Sequence, residues 1–451
     1  MGTFAPDFIF GAATASYQIE GAAHEDGRGP SIWDTFSHTP GKVFAGDTGD
    51  IACDHYHRWE EDLDILAEMG VDAYRFSIAW PRIQATGSGK PNQLGLDFYS
   101  RLVDGLLARN ITPLATLYHW DLPQALEDQG GWLHRDTAYR FADYTQIVAA
   151  CLQDRVGYWA TINEPWCAAI LGYTNGEHAP GRRSDEGGLI ASHHLNLAHG
   201  LAVSALRSES HSPVGIVVNY HQFQAADDSA EAQAAVDRLD AVGNWLYTEP
   251  ILRGRYDPLT LEVTAKVTDW ACIEDGDLEL IHQPIDFIGH NYYSPTFISA
   301  GHQPYESGSA WPGVEDAKFL PPRQPVSDMG WTIDPTGLTN LLVRFHERYP
   351  EMDLYVAENG AAMPDQLSKD GAVHDADRTA YLQGHIAALE AALAKDVPLK
   401  GYFCWSLLDN FEWAFGYSKR FGLIRVDYDT QQRLWKDSAL WYQQFLSNRT
   451  I

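Results

Sequence analysis

The sequence lacks long apolar runs and glycine-rich phosphate loops. No window approaches the ~20 apolar residues that a membrane-spanning helix needs, so neither a membrane span nor a membrane partner is expected. Neither GxxxxGK(S/T) nor GxGxxG occurs, which argues against the common phosphate- and dinucleotide-binding loops. Linker-like Gly/Ser tracts and short repeats are also missing. We therefore expect a single domain over residues 1–451.

Cysteine is scarce, with five residues in 451, and no CxxC pair occurs. Because the number is odd and the positions are scattered, reduced thiols are expected rather than a disulfide framework. The amino terminus, 1–7, lacks a basic segment, and the apolar stretch after it is too short for a signal peptide. These features predict a cytoplasmic protein.

Basic residues are few as well. The 32 lysines and arginines face 61 acidic residues, which leaves a formal net charge of −29. A field of that sign repels phosphate backbones, so nucleic acid is not expected as a partner. It suits a neutral small-molecule substrate, and it leaves open whether the chain forms a homo-oligomer.

Eight short apolar runs alternate with amphipathic helical stretches. The runs cover 8–13, 73–78, 112–117, 158–162, 214–218, 287–291, 354–357 and 402–405, with helical patterns such as 59–69, 96–109, 137–152 and 378–395 between them. Continuous apolarity is typical of strands that are covered on both sides. The pattern predicts an α/β protein, a single (β/α)8 TIM barrel with elaborated βα loops. The stretch 301–328 is expected to form a loop over its site.

Two glutamates follow two of these runs. Glu164 stands in the segment TINEP (161–165) after the fourth run, and Glu358 stands in YVAENG (355–360) after the seventh. A carboxylate is costly to bury among apolar groups, so both positions call for a reason. Because catalytic residues of a barrel lie at the carboxyl ends of its strands, the fold would bring the two glutamates into one site.

Paired carboxyl groups with different pKa values carry out glycoside hydrolysis. A retaining glycosidase needs an ionised nucleophile and a protonated acid about 5–5.5 Å apart. Glu358 suits the nucleophile, because Arg75 on the second strand is a candidate cation for keeping it ionised. Glu164 suits the acid/base, because burial and repulsion by Glu358 both raise the pKa of a carboxyl group.

The other strand ends carry polar and aromatic side chains that suit sugars. Hydrogen-bonding groups recognise hydroxyls, and aromatic faces pack on the C–H surfaces of pyranose rings. The residues concerned are Gln18, His119, Trp120, Asn291, Tyr293, Trp405, Glu412 and Trp413. Their number in one barrel favours a sugar-binding pocket over ordinary core packing.

The chain resembles the glycoside hydrolases of family 1, the β-glucosidase family. The resemblance runs from 8–21 (FIFGAATASYQIEG) to 421–423 (FGL), and the NEP (163–165) and ENG (358–360) segments match the acid/base and nucleophile signatures. It implies a retaining β-glucosidase that removes terminal non-reducing β-D-glucosyl residues from cello-oligosaccharides and from aryl or alkyl β-glucosides. It also implies a part in cellulose and polysaccharide degradation, with no cofactor and no metal.

The resemblance implies how the first sugar is held. Gln18, His119 and Glu412 would bind its hydroxyls, with Gln18 and Glu412 at O4 and Glu412 also at O6. Asn163 would bind the 2-hydroxyl. An anionic Glu412 would repel a phosphate at O6, which favours unphosphorylated sugars.

The resemblance implies supporting roles as well. Trp405 would be the stacking platform, Trp413 would donate to O3, and Trp331 would line the entrance where the leaving group sits. The nucleophile would be oriented by Tyr293, Asn291 and Arg75, and the substrate-binding set would also include Trp120 and Phe421.

Other functions stay open. A transglycosylase would use the same glutamates with a sugar as acceptor, and a broad β-glycosidase would also cleave β-galactosides or β-fucosides. A non-catalytic sugar-binding relative would be marked by loss of either glutamate, and both are present. A barrel metallohydrolase is less favoured, because His55 and His57 precede a helix instead of ending the first strand. No metal site is expected there or at His193, His194 and His199.

Overall fold

The computed structural model describes residues 4–302 and 306–449. Eight parallel strands close into a barrel: β1 Ile9–Ala13, β2 Ala73–Ser77, β3 Thr112–Tyr118, β4 Tyr158–Asn163, β5 Val214–Val218, β6 Phe287–Asn291, β7 Asp353–Asn359 and β8 Leu399–Trp405. Neighbours in the barrel are neighbours in the chain, and β1 closes it by pairing with both β2 and β8. The predicted TIM barrel is confirmed, and each predicted run overlaps one barrel strand.

Helices lie between the strands. The longer ones are His55–Met69, Gln93–Ala108, Asp136–Leu152, Asp185–Glu209, Ala230–Asp240, Leu246–Arg253, Pro335–Arg348, Ala376–Leu393 and Asp437–Ser447. Short helical segments are Ser16–Ile19, Ile32–Ser37, Phe44–Gly46, Trp80–Ile83, Gln124–Glu127, Gly131–Leu133, Gln153–Arg155, Cys167–Thr174, Ala241–Trp245, Pro258–Thr264, Asp277–Ile281 and Trp413–Phe415.

Hydrophobic spacing explains how the long helices cover the barrel. Helix Gln93–Ala108 buries Leu96, Tyr99, Val103 and Leu106, which recur at intervals of three and four residues and form one apolar face. The long helix between β1 and β2 begins at His55 and not at the predicted residue 59, so His55 and His57 lie in its first turn and do not precede it.

Much of the barrel interior is filled with apolar side chains. Leu114, Ala160, Val217, Phe287 and Phe403 belong to one buried cluster contributed by five different strands. Such layers make a barrel a packed core and not a pore. Polar groups that point inward can therefore gather only beyond this layer, at the carboxyl ends of the strands.

Two small sheets stand outside the barrel. One has three strands, Gln222–Ala225, Pro295–Ala300 and Ala317–Phe319, and the other pairs Ile424–Val426 with Arg433–Trp435. The stretch 301–328 is therefore only partly the loop that the sequence predicts, because it contributes a strand to the first sheet. Residues 303–305 of that stretch lie outside the described residues.

Candidate active site

A cavity of about 600 Å³ lies at the carboxyl ends of the barrel strands. This volume is ordinary for a small-molecule site. Most residues that the sequence assigns to the site line it, namely His119, Trp120, Glu164, Asn291, Tyr293, Trp331, Glu358, Trp405, Glu412, Trp413 and Phe421. The fold thus brings together residues from distant parts of the chain.

A local irregularity in β7 turns Glu358 into this cavity. Tyr355 and Ala357 belong to the interior cluster, so regular alternation would point Glu358 outward. The pairing register shifts here against both β6 and β8, as it does at a β-bulge. Glu358 consequently faces the cavity, while Asn359 Nδ2 donates to the hydroxyl of Tyr381 on the surrounding helix at 2.9 Å.

The Glu358 carboxylate, only 3% exposed, accepts a hydrogen bond at each oxygen. Arg75 Nη1 donates to Oε1 at 2.5 Å, and the Tyr293 hydroxyl donates to Oε2 at 2.6 Å. Arg75 is buried on β2 and also donates to the Ala357 carbonyl at 3.1 Å. A guanidinium and a phenol that donate in this way stabilise the negative charge that a nucleophile needs.

Glu164 directly follows β4 in a backbone conformation that side chains disfavour. Its φ is +47°, in the left-handed region, where a residue other than glycine is strained by about 1–3 kcal/mol. The buried carboxyl group accepts from Asn291 Nδ2 at 2.5 Å on Oε1 and from Cys167 Sγ at 3.0 Å on Oε2. Such strain is typical of residues that the surrounding structure holds for function.

The environment of Glu164 favours its protonated form. Burial, followed by the negative charge of Glu358, raises the pKa of Glu164 well above its ordinary value. The hydrogen bonds from Cys167 and Asn291 and the charge of Arg75 act in the opposite direction but do not cancel the shift. A carboxyl group in this state is suited to donate a proton near neutral pH.

Asn163 connects the two carboxyl groups. Its Oδ1 accepts from Arg75 Nη2 at 2.7 Å and from Asn291 Nδ2 at 3.0 Å. A continuous path of hydrogen bonds therefore runs from Glu358 through Arg75, Asn163 and Asn291 to Glu164. The path holds a charged carboxylate and a carboxyl group that favours its proton in a fixed relative position.

Several buried polar atoms at the site still need a partner. His119 Nδ1, Asn291 Oδ1 and Glu412 Oε2 in the cavity wall have no hydrogen-bond partner within residues 4–302 and 306–449, and neither has Gln18 Oε1. Buried polar atoms in proteins are nearly always hydrogen-bonded. A ligand that carries several hydroxyl groups would satisfy them.

The Glu412 carboxyl is not the plain anion that the sequence suggests. Burial and the charges of Glu358 and Glu164 raise the pKa of Glu412 to about 8, against a smaller opposing effect of Gln18. The shift favours the protonated form of this carboxyl, which can both donate and accept a hydrogen bond. The repulsion of a phosphate group by Glu412 is correspondingly weaker than predicted.

Aromatic rings form much of the remaining wall. Trp120 and Trp413 lie with ring centroids 4.5 Å apart, and the His119 ring stacks on Trp405 at 5.9 Å. At the mouth, Trp331 is 36% exposed and its ring centroid is 5.6 Å from that of Tyr293. The cavity therefore has a deep end of aromatic and polar groups, which suits one sugar ring. Its open aromatic mouth suits a variable leaving group.

The site can be compared with known proteins. The family model described as Glycosyl hydrolase family 1 matches residues 1–451. The chain belongs to this family. It is therefore a retaining glycosidase, and its paired carboxyl groups are the chemistry expected of one.

Individual family 1 proteins match along their whole length. A bifunctional β-D-glucosidase/β-D-fucosidase of Bifidobacterium breve is 51% identical over 459 residues, which cover 99% of each chain. A 1,4-β-D-glucan glucohydrolase of Thermotoga neapolitana is 47% identical over 453 residues, with 100% of both chains covered. Among solved structures, a family 1 β-glucosidase from Thermotoga maritima in complex with isofagomine lactam has a TM-score of 0.94 at 46% identity, with 99% of each chain covered.

Three residues that the sequence assigns to this family 1 site lie behind the cavity wall. Arg75 and Asn163 act through the hydrogen bonds given above. Gln18 Nε2 donates to Asn410 Oδ1 at 3.0 Å and to the Phe411 carbonyl at 2.9 Å. Gln18 thereby fixes the segment that carries Glu412.

The histidines that imitate metal motifs have structural partners. His55 Nδ1 lies 2.7 Å from Asp62, and His193 Nε2 lies 2.9 Å from Asp277, both in buried pairs. His57 contacts Asp54 at the surface. Over residues 4–302 and 306–449, no group of three or more His, Cys, Asp or Glu side chains could hold a metal ion. In the same part of the chain, every helix is too short or too polar to cross a membrane.

Part of the cavity wall is formed by residues that were not predicted from the sequence. Asn219, His221 and Gln222 line it directly after β5, and Trp166 does so just after Glu164. The rule that barrel sites gather at strand ends would have found the residues after β5. Phe297 and Leu320, which belong to or follow the small three-stranded sheet, also line the cavity and carry no comparable signal in the sequence.

Proposed function

We propose that this retaining glycosidase is a β-glucosidase in which Glu358 is the nucleophile and Glu164 is the acid/base. The proposal rests on one observation, which is that the two carboxyl groups have different surroundings. Glu358 accepts hydrogen bonds from a guanidinium and a phenol, which stabilise its negative charge. Glu164 is buried beside that charge, and its raised pKa favours the protonated form. A double displacement needs this difference.

In the first step an oxygen of Glu358 attacks the anomeric carbon while the bond from that carbon to the departing oxygen breaks. Glu164 gives its proton to the departing oxygen, so a neutral alcohol leaves. The sugar is then held as an ester of Glu358, and Glu164 is a carboxylate.

In the second step Glu164 takes a proton from a water molecule, whose oxygen attacks the anomeric carbon. The ester bond breaks, Glu358 recovers its negative charge, and glucose leaves with the β configuration retained. A sugar hydroxyl in place of this water would give transglycosylation at the same site.

The polar atoms without a protein partner support a role in holding the glucose ring. We assign its hydroxyls to His119, to Glu412 and to Gln18, whose Oε1 lacks a protein partner although the residue does not line the cavity. The assignment of Asn163 to the 2-hydroxyl rests on the family resemblance alone. Trp405 is the stacking face and Trp413 a donor to O3. The leaving group occupies the mouth, beside Trp331 and Phe421.

A β-fucosidase activity is the second candidate. It is favoured by the name of the Bifidobacterium breve relative, which acts on both kinds of glycoside and is 51% identical to this chain. Fucose lacks the 6-hydroxyl, so a fucoside would give up the contact that we assign to Glu412 at O6. D-Fucose also shares with galactose the axial 4-hydroxyl, which the contacts assigned to Gln18 and Glu412 would meet in a different position. We therefore expect β-glucosides to be preferred over both β-fucosides and β-galactosides.

The biological setting is also a proposal. The Thermotoga neapolitana relative is named a 1,4-β-D-glucan glucohydrolase, which supports cello-oligosaccharides as substrates and a part in cellulose degradation. The five free cysteines, three of them buried, suit a reducing compartment such as the cytoplasm. We propose that the whole chain acts as one domain.

The specificity is tested with 4-nitrophenyl β-glycosides. We expect kcat/KM to be highest for the glucoside among the gluco, fuco and galacto substrates. Proton NMR of the first product formed from the glucoside should show the β anomer before it equilibrates. A clear preference for the galactoside would contradict the assignment of the glucose-binding residues, while the retained configuration would still hold.

A further inference from the structure

Cys167 contacts the carboxyl group that we assign as the acid/base. It begins the helical segment Cys167–Thr174, three residues after Glu164, and it lines the cavity while being only 7% exposed. Its Sγ lies 3.0 Å from Glu164 Oε2. An ionised carboxylate can only accept, so the thiol is the donor in this contact when Glu164 is ionised.

The thiol is itself held from a different strand. Asn219, just after β5, has its Nδ2 3.5 Å from Cys167 Sγ and 3.3 Å from His221 Nε2. The sulfur can therefore accept from Asn219 while its hydrogen points to Glu164. Burial keeps the thiol neutral, since it raises the pKa of Cys167 well above the ordinary value.

We propose that Cys167 is a positioning residue for Glu164, whose thiol holds Oε2 and stabilises the carboxylate that appears each time Glu164 gives up its proton. This inference rests on the proposed role of Glu164 and adds to it. The family match concerns the chain as a whole and says nothing about the part that this thiol plays.

The geometry fixes the sign of the effect. In the ionised state Glu164 accepts one hydrogen bond at each oxygen, from Asn291 and from Cys167, and both donors are neutral. Protonation of Glu164 removes the negative charge, so the carboxyl group becomes a weaker acceptor and the contact with Cys167 weakens. A bond that strengthens as the proton leaves assists proton donation in the first step and the base function in the second.

The other groups that face Glu164 do not depend on the thiol. Charged and titratable side chains around it and around Cys167 come from several elements, namely Arg75 on β2, His119 after β3, Glu177, His221 after β5, Tyr293 after β6, Glu358 on β7 and Glu412 after β8. None of these side chains other than Glu164 itself is hydrogen-bonded to the Cys167 thiol in the described part of the chain. A shift in the titration of Glu164 would then report the lost hydrogen bond.

The test compares pH profiles of kcat/KM for phenyl β-D-glucoside. Its phenol leaving group departs poorly unless it is protonated. Cys167→Ala removes the donor without adding volume, Cys167→Val fills the space with an apolar group, and Cys167→Ser restores a donor. Cys151→Ser changes a half-buried cysteine on helix Asp136–Leu152 and serves as the matched control. Glu164→Gln shows whether the basic limb of the profile belongs to Glu164.

We expect the basic limb of the alanine and valine variants to move to higher pH by about 0.5–1 unit, the size of one hydrogen bond to a carboxylate. The basic limb of Cys167→Ser should lie at the parental pH or below it. The pH profile of the Cys151→Ser control should coincide with that of the parent. A limb that stays at the parental pH in both Cys167→Ala and Cys167→Val overturns the inference. If one of them fails to fold, the other decides.

The outcomes separate this inference from the proposed function. A basic limb that persists in Glu164→Gln would contradict the acid/base role itself. If the basic limb disappears in Glu164→Gln but keeps its parental pH in the Cys167 variants, the acid/base role stands and only the role of Cys167 is overturned. A limb that moves to lower pH in Cys167→Ala would overturn it as well, because a lost donor cannot stabilise the carboxylate.

Discussion

Arg75 and Glu358 form a buried ion pair across the barrel interior, with Nη1 2.5 Å from Oε1 and both side chains almost fully enclosed. The same guanidinium reaches Asn163, which leads through Asn291 to Glu164. One cation therefore supports the charge of one carboxylate and anchors the framework that positions the second carboxyl group.

Removal of Arg75 should cost stability as well as activity. Arg75→Met leaves Glu358 buried without its cation, and breaking a buried pair by removing one partner costs about 3–5 kcal/mol. The free energy of unfolding from urea titration measures this loss. Arg109→Met is the matched control, because Arg109 pairs with the exposed Asp64 and such pairs contribute only about 0.2–1 kcal/mol. Equal losses in the two variants would contradict the special role of the buried pair.

Glu358→Ala should lower kcat by roughly 10⁴–10⁶-fold, the scale on which catalytic groups that act as a unit are lost. Added azide should restore part of the turnover by entering the vacated space, and the product should be the α-glycosyl azide. Initial rates and NMR of the product measure both effects. The exposed Glu347 on helix Pro335–Arg348 provides the control Glu347→Ala, which should behave as the parent. Ordinary turnover of Glu358→Ala without azide would rule out its role.

Glu164→Ala should affect substrates according to their leaving groups. Cellobiose needs a proton on the departing oxygen, so its kcat/KM should fall by about 10²–10⁴-fold. The leaving group of 2,4-dinitrophenyl β-D-glucoside departs without a proton, so kcat/KM for this substrate should change much less. Steady-state kinetics on both substrates measures the difference. A similar loss on both would argue against proton donation by Glu164.

A second buried ion network supports the segment that carries Glu412. Lys436 Nζ donates to Asp409 Oδ1 at 2.7 Å and also pairs with Asp365, and all three side chains are enclosed. Burial acts to raise the pKa of Asp409, but the positive charges of Lys436 and Arg420 outweigh it and hold that pKa below its ordinary value. Lys436→Met should therefore lower the free energy of unfolding by about 3–5 kcal/mol at pH 7.

The pH dependence of that loss has a definite sign. A carboxyl group whose pKa is lowered by folding adds stability above its unfolded pKa of about 3.9, and the gain disappears as pH falls through the folded value. The difference between the parent and Lys436→Met should thus be largest near neutral pH and shrink below about pH 4. Urea titrations across this range measure it, and a difference that grew towards low pH would refute the explanation.

The sequence was sufficient for the barrel and for most of the cavity. The strands were predictable because burial on both sides requires continuous apolar runs of strand length. The shared site of Glu164 and Glu358 was predictable because parallel strands end at a common edge. What it could not predict are features that tertiary structure imposes. The bulge that turns Glu358 inward appears only in the strand register, and Trp120, Glu164 and Trp413 all have positive φ values that their residue types disfavour.

Contacts between distant loops were equally out of reach. Nothing in the sequence indicated that the thiol of Cys167 contacts Glu164 or that Asn219 contacts this thiol. The raised pKa of Glu412 likewise depends on two other carboxyl groups brought near it by the fold. Such effects follow from three-dimensional proximity and not from residue type.

The central claim is that Glu358 bonds covalently to the sugar. Incubation with 2,4-dinitrophenyl 2-deoxy-2-fluoro-β-D-glucoside, followed by mass spectrometry of the digested protein, tests it most directly, because the fluorine slows the breakdown of the ester. We predict one added fluoroglucosyl group, located on Glu358. A label on any other residue, or complete inactivation without a covalent label, would contradict the assignment.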